Sequence, residues 1–406
     1  MLAACTVCLA FYFILVRSLR YRRLKSITSK FTADELREMT PYVAQQIVHA
    51  SFFYDTPLIM LLGTQVALFK VYGISTIASV LLKSGELTSA EKIDKRLADT
   101  SILIATALSN PLVGPGSGCP IISSHIDPRG AIAIARINYL HGKYPIKNDD
   151  FLYNLALFMI EPIRWTARFD WRPHSPLEIQ AIFVLWTEVG RRMGIQDIWT
   201  SYDEMVDWAT QYEIDNMVPS EASQQLAQIT IEHLFERMPK IPLLHTAVYQ
   251  TALALLDKRT RKAMGLRDPS PRAAAIVPRV FLLRAFFVRH FCLPRWNPSL
   301  WVSLDSSHKV DEAGVPRMST VFKRQGGPWY YPETIGLGYL MQRVLIAFGL
   351  QSRDQLPGKQ WRSQGYRLEE MGPVRFENAG HEQVMHEASV LQGCPITGLW
   401  GRPPSS

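Results

Sequence analysis

Hydrophobic positions fall three and four residues apart along much of this chain, while period-two alternation is sparse. Ile93, Leu97, Thr100, Ile104 and Leu108 form one such stripe, and Ile134, Ile137, Asn138 and His141 share another face. Helix punctuation is dense. Thr40-Pro41 opens one helix, and Thr88-Ser-Ala-Glu91 reads as a capping box opening another that runs to about Leu108. Ser175-Pro176-Leu-Glu178 reads as a second box with proline in the first turn, and Gly194 closes that helix. Ser201 opens the next, Ser220 precedes one that ends near Pro239, and residues 243–265 read as one long helix stopped by Gly265 and Pro269. Pro162, inside Phe151–Phe169, should kink or split its helix. Short joints between seven or more helices predict an all-α domain.

Two longer apolar runs interrupt this rhythm. Residues 2–16 carry no charge and run straight into Arg17, Arg20, Arg22, Arg23 and Lys25. A cleaved signal peptide has its basic residues before the apolar run, so this order predicts a transmembrane anchor with its basic flank, and all that follows, on the cytosolic side. The run is short against the ~20 residues that cross a ~30 Å hydrocarbon core, which keeps an interfacial anchor as the other reading. Pro57–Leu82 holds only Lys70 among charged residues and is interrupted by Gly63 and Gly73, which reads as two packed core helices. Beyond residue 294 the texture changes. Prolines and Gly326-Gly327-Pro328 separate mixed segments, with one clear helix near Thr334–Leu350, and the tail from Arg402 reads as disordered. Val280–Leu293 mixes aromatics with Arg284, Arg289 and His290, as an interfacial amphipathic helix or a buried helix with snorkelling arginines would. The expected organisation is an anchor (1–16), a basic linker (17–35), a helical domain (36–293) and an irregular C-terminal extension (294–406).

Composition narrows the function classes. An apolar share of 47% leaves ample material for a core. A net charge of +8 raises nucleic acid as a partner, but the basic residues are scattered or lie beside apolar segments. No zinc-finger or RNP-type pattern occurs, so membrane lipids are the expected partner and nucleic acid is not. Five cysteines without paired Cys-x-x-Cys motifs argue against a disulfide framework or structural zinc, and fit a reducing compartment. His381 and His386 are five apart and do not share a helix face, and Gly114-Pro-Gly-Ser-Gly118 lacks the Lys-Ser/Thr ending of a phosphate loop. There is no Gly-x-Ser-x-Gly elbow and no Cys-x-x-Cys-His haem attachment signature.

His141 stands at the end of a helix opened by Asp127-Pro128 and stopped by Gly142 and Pro145. A histidine there is either a metal or haem ligand or a core residue satisfied by a carbonyl. Asn148 and Asp150 read as caps of the following helix, and His174 as an unremarked loop residue. The order of Tyr54-Asp55-Thr-Pro57, Thr76-Ile-Ala-Ser79, Lys95-Arg96-Leu-Ala-Asp99-Thr100, Ile137–His141, Glu161-Pro162-Ile-Arg164-Trp165, Asp170-Trp171-Arg172-Pro173 and Leu256–Gly265 is a further signal. Over about residues 36–270 it resembles the catalytic domain shared by bacterial latex clearing proteins (rubber oxygenases) and fungal endoplasmic-reticulum-bound oxygenases, among them that of mycophenolic acid biosynthesis.

The resemblance implies a globin-like, multi-helix domain that binds haem b non-covalently and uses dioxygen as co-substrate. Its implied reaction is cleavage of carbon–carbon double bonds in a lipophilic, isoprenoid-bearing substrate, in specialised metabolism. It also implies residence at the endoplasmic reticulum membrane. It carries the iron-ligand role to His141, with His125 or His245 as next candidates, and the distal role to Arg96 and Thr100, which stack one helical turn apart. Chemically, a cation and a hydroxyl beside bound dioxygen would stabilise the charge that builds there. The bland alternative pairs Arg96 with Asp94 or Asp99 at the surface. Asp99 stands where the bacterial pattern has a lysine that can take the sixth iron position. Its expected role is proton transfer, or anchoring Arg96. Arg136 is a candidate partner for the haem propionates; Lys143 fits solvated surface better. A non-haem hydroxylase or cyclase on the same scaffold, and a non-catalytic membrane-anchored lipid-binding protein, are the competing functions.

Overall fold

The computed structural model describes residues 2–118, 127–236, 238–303, 309–310, 316–320, 327–348, 353 and 356–401. Cys119, His125 and the tail from Arg402 lie outside them. As the pattern predicts, the chain is predominantly helical. Its first helices are α1 (Leu2–Leu19), α2 (Arg22–Thr28), α3 (Ala33–Arg37), α4 (Pro41–His49), α5 (Pro57–Lys70) and α6 (Ser75–Lys83). Then follow α7 (Ala90–Ser109), α8 (Arg129–His141), α9 (Asn148–Phe169), α10 (Pro176–Arg192), α11 (Tyr202–Asn216) and α12 (Glu221–Glu236). The series closes with α13 (Pro242–Leu255), α14 (Lys258–Ala263), α15 (Pro271–Phe291), α16 (Leu337–Ala347) and α17 (His381–Gln392). Among the described residues one short antiparallel pair, β1 (Lys309–Val310) with β2 (Pro316–Arg317), is the only sheet.

These helices gather into two compact units that do not follow chain order. The first takes Met1–Ser75, Asn148–Gln224 and Gln250–Ser299; the second takes Thr76–Lys147, Gln225–Tyr249 and Leu300–Ser406. The expected split into 36–293 and 294–406 is therefore replaced by an interleaved one. The described residues from Leu300 onward fall in the second unit.

In the first unit α5 packs on α9 and α4 on α10. A side-chain carbon at Gly63 would lie 2.6 Å from the Pro162 Cα, so glycine is what lets these backbones meet. Contrary to expectation, α9 runs unbroken through Pro162. Its buried residues on both sides, from Leu152 to Phe169, hold the helix together across the one missing hydrogen bond. Ile59, Trp165 and Phe169 form a core cluster with Leu62, Val66, Leu255 and Phe281. The expected single helix 243–265 is split, because Asp257 caps α14 by accepting from the Thr260 N–H. Arg172 donates to Glu178 at 2.7 Å and to Asp55 at 2.8 Å, joining the loop before α10 to the end of the α4 segment.

No single helix among the described residues is long and apolar enough to cross a membrane. The 18 residues of α1 span ~27 Å and already include Arg17 in the last turn, so the expected single crossing by 1–16 is not supported. The segments Pro41–Asp55 and Pro57–Gly73 meet the length and composition test only together, bent by 106°. Ile47 and Ile59 within them are fully buried, and Pro57–Leu82 forms the two helices expected there, α5 and α6, parted near Gly73 while α5 runs through Gly63.

In the second unit α7 packs on α8, and α8 on α17. The buried face of α7 is not the expected Ile93-Leu97-Thr100-Ile104-Leu108 stripe. Ile93 and Leu108 are buried, but Leu97 is 37% exposed and Thr100 and Ile104 are partly accessible. The helix instead buries Asp94, Lys95, Ala98, Asp99, Ile102, Leu103 and Thr106. It is rotated so that charged residues with partners in this unit go inward, a choice that hydrophobic counting alone cannot make.

Candidate active site

Ser89 caps α7 by accepting from the Lys92 N–H, one residue later than the box expected at Thr88. From there Arg96 and Thr100 follow one turn apart, both partly accessible. Neither side chain forms a hydrogen bond or ion pair with another described residue. The carboxylates expected to hold Arg96 are engaged elsewhere: Asp94 lies 2.9 Å from the His233 Nε2 and Asp99 2.9 Å from the Lys95 Nζ. A cation and a hydroxyl are thus presented on one helix face without a structural task.

On α8, Asp127 accepts from the Arg129 N–H at the helix start and Gly142 caps its end. His141 occupies the last position and is partly accessible, as are Ile137, Asn138 and Leu140, whereas Ile134 is fully buried. A planar apolar group against His141 would therefore meet Ile137, one turn earlier on the same face, not Ile134. Desolvation, with a smaller contribution from the Arg96 guanidinium, lowers the His141 pKa to about 4. The imidazole is neutral at physiological pH, the state that can donate a lone pair to a metal. The sensitivity to Arg96 also places the two residues in one electrostatic neighbourhood.

Asp99 is neither free nor an anchor for Arg96. Its carboxylate accepts from Tyr330 Oη at 2.6 Å, Lys95 Nζ at 2.9 Å and the Gly372 N–H at 3.0 Å. Lys95 in turn donates to Tyr330 at 2.9 Å and to the Gly372 carbonyl at 2.7 Å, and lies 3.2 Å from Glu377. Burial raises the Asp99 pKa against the opposing effect of Lys95. Arg136 likewise departs from its expected role. It is fully buried, and its guanidinium donates to the carbonyls of Met371 at 2.6 Å, Phe376 at 2.7 Å and Ala379 at 2.8 Å. With no exposed edge it serves to fasten α8 to the 371–379 segment, not to meet a propionate. Lys143 is exposed and lies over the Tyr139 ring at 4.1 Å.

Lys95, Tyr330, Gly372 and Glu377 were not singled out in the sequence. The Lys95/Asp99 spacing of four is a signal that was available; nothing local marks Tyr330 or Glu377. In the first unit His174 is buried rather than a bland loop residue, and desolvation lowers its pKa to about 4. Asn148 exchanges hydrogen bonds with the Gln196 backbone at 3.0 and 3.1 Å, and Asp150 accepts from Tyr212 at 2.9 Å, so both tie elements together beyond any capping. His245 lies 3.0 Å from the Pro239 carbonyl and stacks on Phe235.

Among the described residues no group of three or more His, Cys, Asp or Glu side chains converges to hold a bare metal ion. What the described residues of the second unit offer is one neutral, partly accessible imidazole whose Nδ1 is buried, beside partly accessible apolar residues, with a cation and a hydroxyl on the neighbouring helix. That donor set suits a metal that brings its other ligands with it, as a macrocycle does.

Known proteins resemble this chain over most of its length. Residues 85–289 match the family model described as ER-bound oxygenase mpaB/B'/Rubber oxygenase, catalytic domain. ER-bound oxygenase mpaB' of Penicillium brevicompactum is 30% identical over 409 residues, covering 94% of this chain and 90% of that protein. ER-bound oxygenase mpaB of Penicillium roqueforti (strain FM164) is 34% identical over 272 residues, covering 62% of this chain and 86% of its own. ER-bound oxygenase mpaB of Penicillium brevicompactum is 30% identical over 332 residues, covering 74% and 81%.

Proposed function

Because this chain belongs to the ER-bound oxygenase mpaB/B' and rubber oxygenase family, and is thereby an oxygenase, we propose that it depends on haem b. Its proposed reaction is cleavage of a carbon–carbon double bond in a lipophilic, isoprenoid-bearing molecule of specialised metabolism, at the endoplasmic reticulum membrane. The observation that carries the reading is the neutral imidazole of His141 in the same electrostatic neighbourhood as the uncommitted Arg96.

Haem bound here supplies the binding and activation of dioxygen. The protein's own residues do the rest. His141 holds the group non-covalently through a lone pair that stays unprotonated at any pH well above 4. Arg96 and Thr100 present a guanidinium and a hydroxyl to oxygen atoms on which negative charge develops, an arrangement that is pre-organised because both sit on one rigid helix. Leu97, Ile104, Ile137 and Leu140 leave apolar surface uncovered, where an apolar chain displaces water. Asp99 and Arg136 act at a distance, by fixing how α7 and α8 are set. A single neutral imidazole suits haem, which brings its other iron ligands with it, whereas a bare-iron hydroxylase is built on several converging protein ligands. The uncommitted Arg96 and Thr100 favour an enzyme over a silent lipid carrier.

Purified protein should show a Soret band at roughly 400–420 nm. His141→Ala should fold, lose most of its haem and lose activity, with added imidazole restoring part of the spectrum. Full haem occupancy in that variant would remove the assignment. Protein that stays colourless after haem supplementation would remove haem itself. Metabolite profiles with and without the gene would identify the substrate.

A further inference from the structure

In the first unit α1 and α15 pack against each other and both carry large apolar residues that nothing covers. On α1 these are Val7, Phe11 and Ile14, spaced four and three apart, with Phe11 68% exposed. On α15 they are Ile276, Val280, Leu283 and Phe287, again one helical stripe, with Leu283 68% and Phe287 56% exposed. The opposite side of α15 faces inward, through Phe281 against Phe169 and the buried Ala285.

The two helices are fastened as one body. Tyr12 donates to the Phe291 carbonyl at 2.7 Å, and Phe13 meets the Phe291 ring edge-on. Buried Arg20 donates to the Val288 carbonyl at 2.6 Å and to that of Cys292, satisfying the end of α15. Arg23 donates to the Arg295 carbonyl at 2.9 Å.

The charged side chains contributed by these two segments have one sign. Residues 1–33 and 269–300 contain no aspartate or glutamate, while Arg17, Arg22, Lys25, Arg272, Arg279, Arg289 and Arg295 are all exposed. A second copy of the chain would bring the same positive charge to this face, and an ordinary apolar partner gives no reason for the missing carboxylates. An anionic leaflet accounts for both features, taking the apolar stripe into its interfacial zone and the arginines to its headgroups.

We propose that α1 and α15 form a single bilayer-embedded surface lying in the plane of an anionic leaflet. On this assignment α15 is a second membrane contact, independent of the N-terminal apolar run. This rests on the membrane association proposed above and replaces a single crossing with in-plane docking.

The test uses full-length protein and vesicles of phosphatidylcholine alone or mixed with phosphatidylserine. Leu283→Asp combined with Phe287→Asp leaves α1 intact. It should weaken partitioning at least ~10-fold, since two large side chains lose burial in lipid, with circular dichroism and melting unchanged. Arg279→Glu with Arg289→Glu should abolish the preference for anionic vesicles and its salt dependence. A phospholipid with a photoreactive acyl chain should label residues 276–287 as well as 7–14. Wild-type partitioning by the aspartate variant, or label confined to α1, would overturn the proposal. So would a concentration-dependent dimer in lipid-free solution that the aspartate variant loses, because a second copy would then own the face. Failure of the wild type to bind any vesicle removes the membrane reading as well; the oxygenase reading is scored separately by the haem spectrum.

Discussion

Each unit buries a lysine among acidic and polar groups, and the two arrangements are built from different kinds of partner. In the first unit the Lys70 Nζ lies 2.8 Å from Glu213, 3.2 Å from Glu161 and 3.4 Å from Asp257. These partners come from α11, α9 and the cap of α14, and Tyr153 adds a hydrogen bond to Glu213 at 3.1 Å. Against the desolvation that opposes it, the three carboxylates raise the Lys70 pKa, so the ammonium is secure. In the second unit only Asp99 belongs to the helix of Lys95; Tyr330, Gly372 and Glu377 come from the irregular C-terminal segment. The first cluster joins helices to one another. The second fixes the rotation of one helix, and the residue beside Lys95 is Arg96. One device thus serves scaffold in one place and, on the function proposed above, site geometry in the other, and substitutions should separate the two.

The largest effect is expected at Lys70→Met, which strands three carboxylates in the interior. A loss of roughly 3–5 kcal/mol is expected, read as a fall in denaturant midpoint, with turnover per folded, haem-loaded molecule unchanged. Arg96→Ala and Thr100→Ala should each lower turnover by up to ~100-fold while melting and haem content stay near wild type. Normal turnover in both would reduce the pair to packing. Tyr330→Phe deletes the hydroxyl between Lys95 and Asp99 and should cost about 1–3 kcal/mol. If the second cluster sets α7, turnover must fall with it; lower stability with intact turnover would make it scaffold like Lys70.

A further expected effect is in pH dependence. His141 and His174 each have a folded pKa of about 4 against an ordinary value of 6.5. The unfolded chain therefore takes up protons first as pH falls, and stability present above 6.5 is lost progressively toward 4. Urea titrations across that range should show the decline, one ring from each unit contributing. A flat profile would mean that water or an anion reaches both rings.

Much of the helical framework was legible in the chain because caps act within a single turn. Thr40, Ser175 and Ser201 each accept from an N–H three residues on, where the sequence placed them. The motif order proposes His141, Arg96 and Thr100 as site residues, an assignment that the haem spectrum and the substitutions test. Local patterns failed where a distant partner decides. The start of α14 is a local cap, at Asp257 where the apolar run gives way to the basic Lys258–Lys262 stretch, whereas α9 passes through Pro162 because residues on both of its faces are buried against α5 and α10. Asp99 and Arg136 carried expected roles in chemistry but are held by Tyr330, Gly372, Phe376 and Ala379, some 231 to 273 residues away. Periodicity and capping record neighbours within one or two turns, so the sequence by itself determined helices, polarity and a candidate ligand. Which face of α7 turns inward, and which charges are left for chemistry, depends on the desolvation of buried ions and on the distant groups that offset it. Only the tertiary structure brings those groups together.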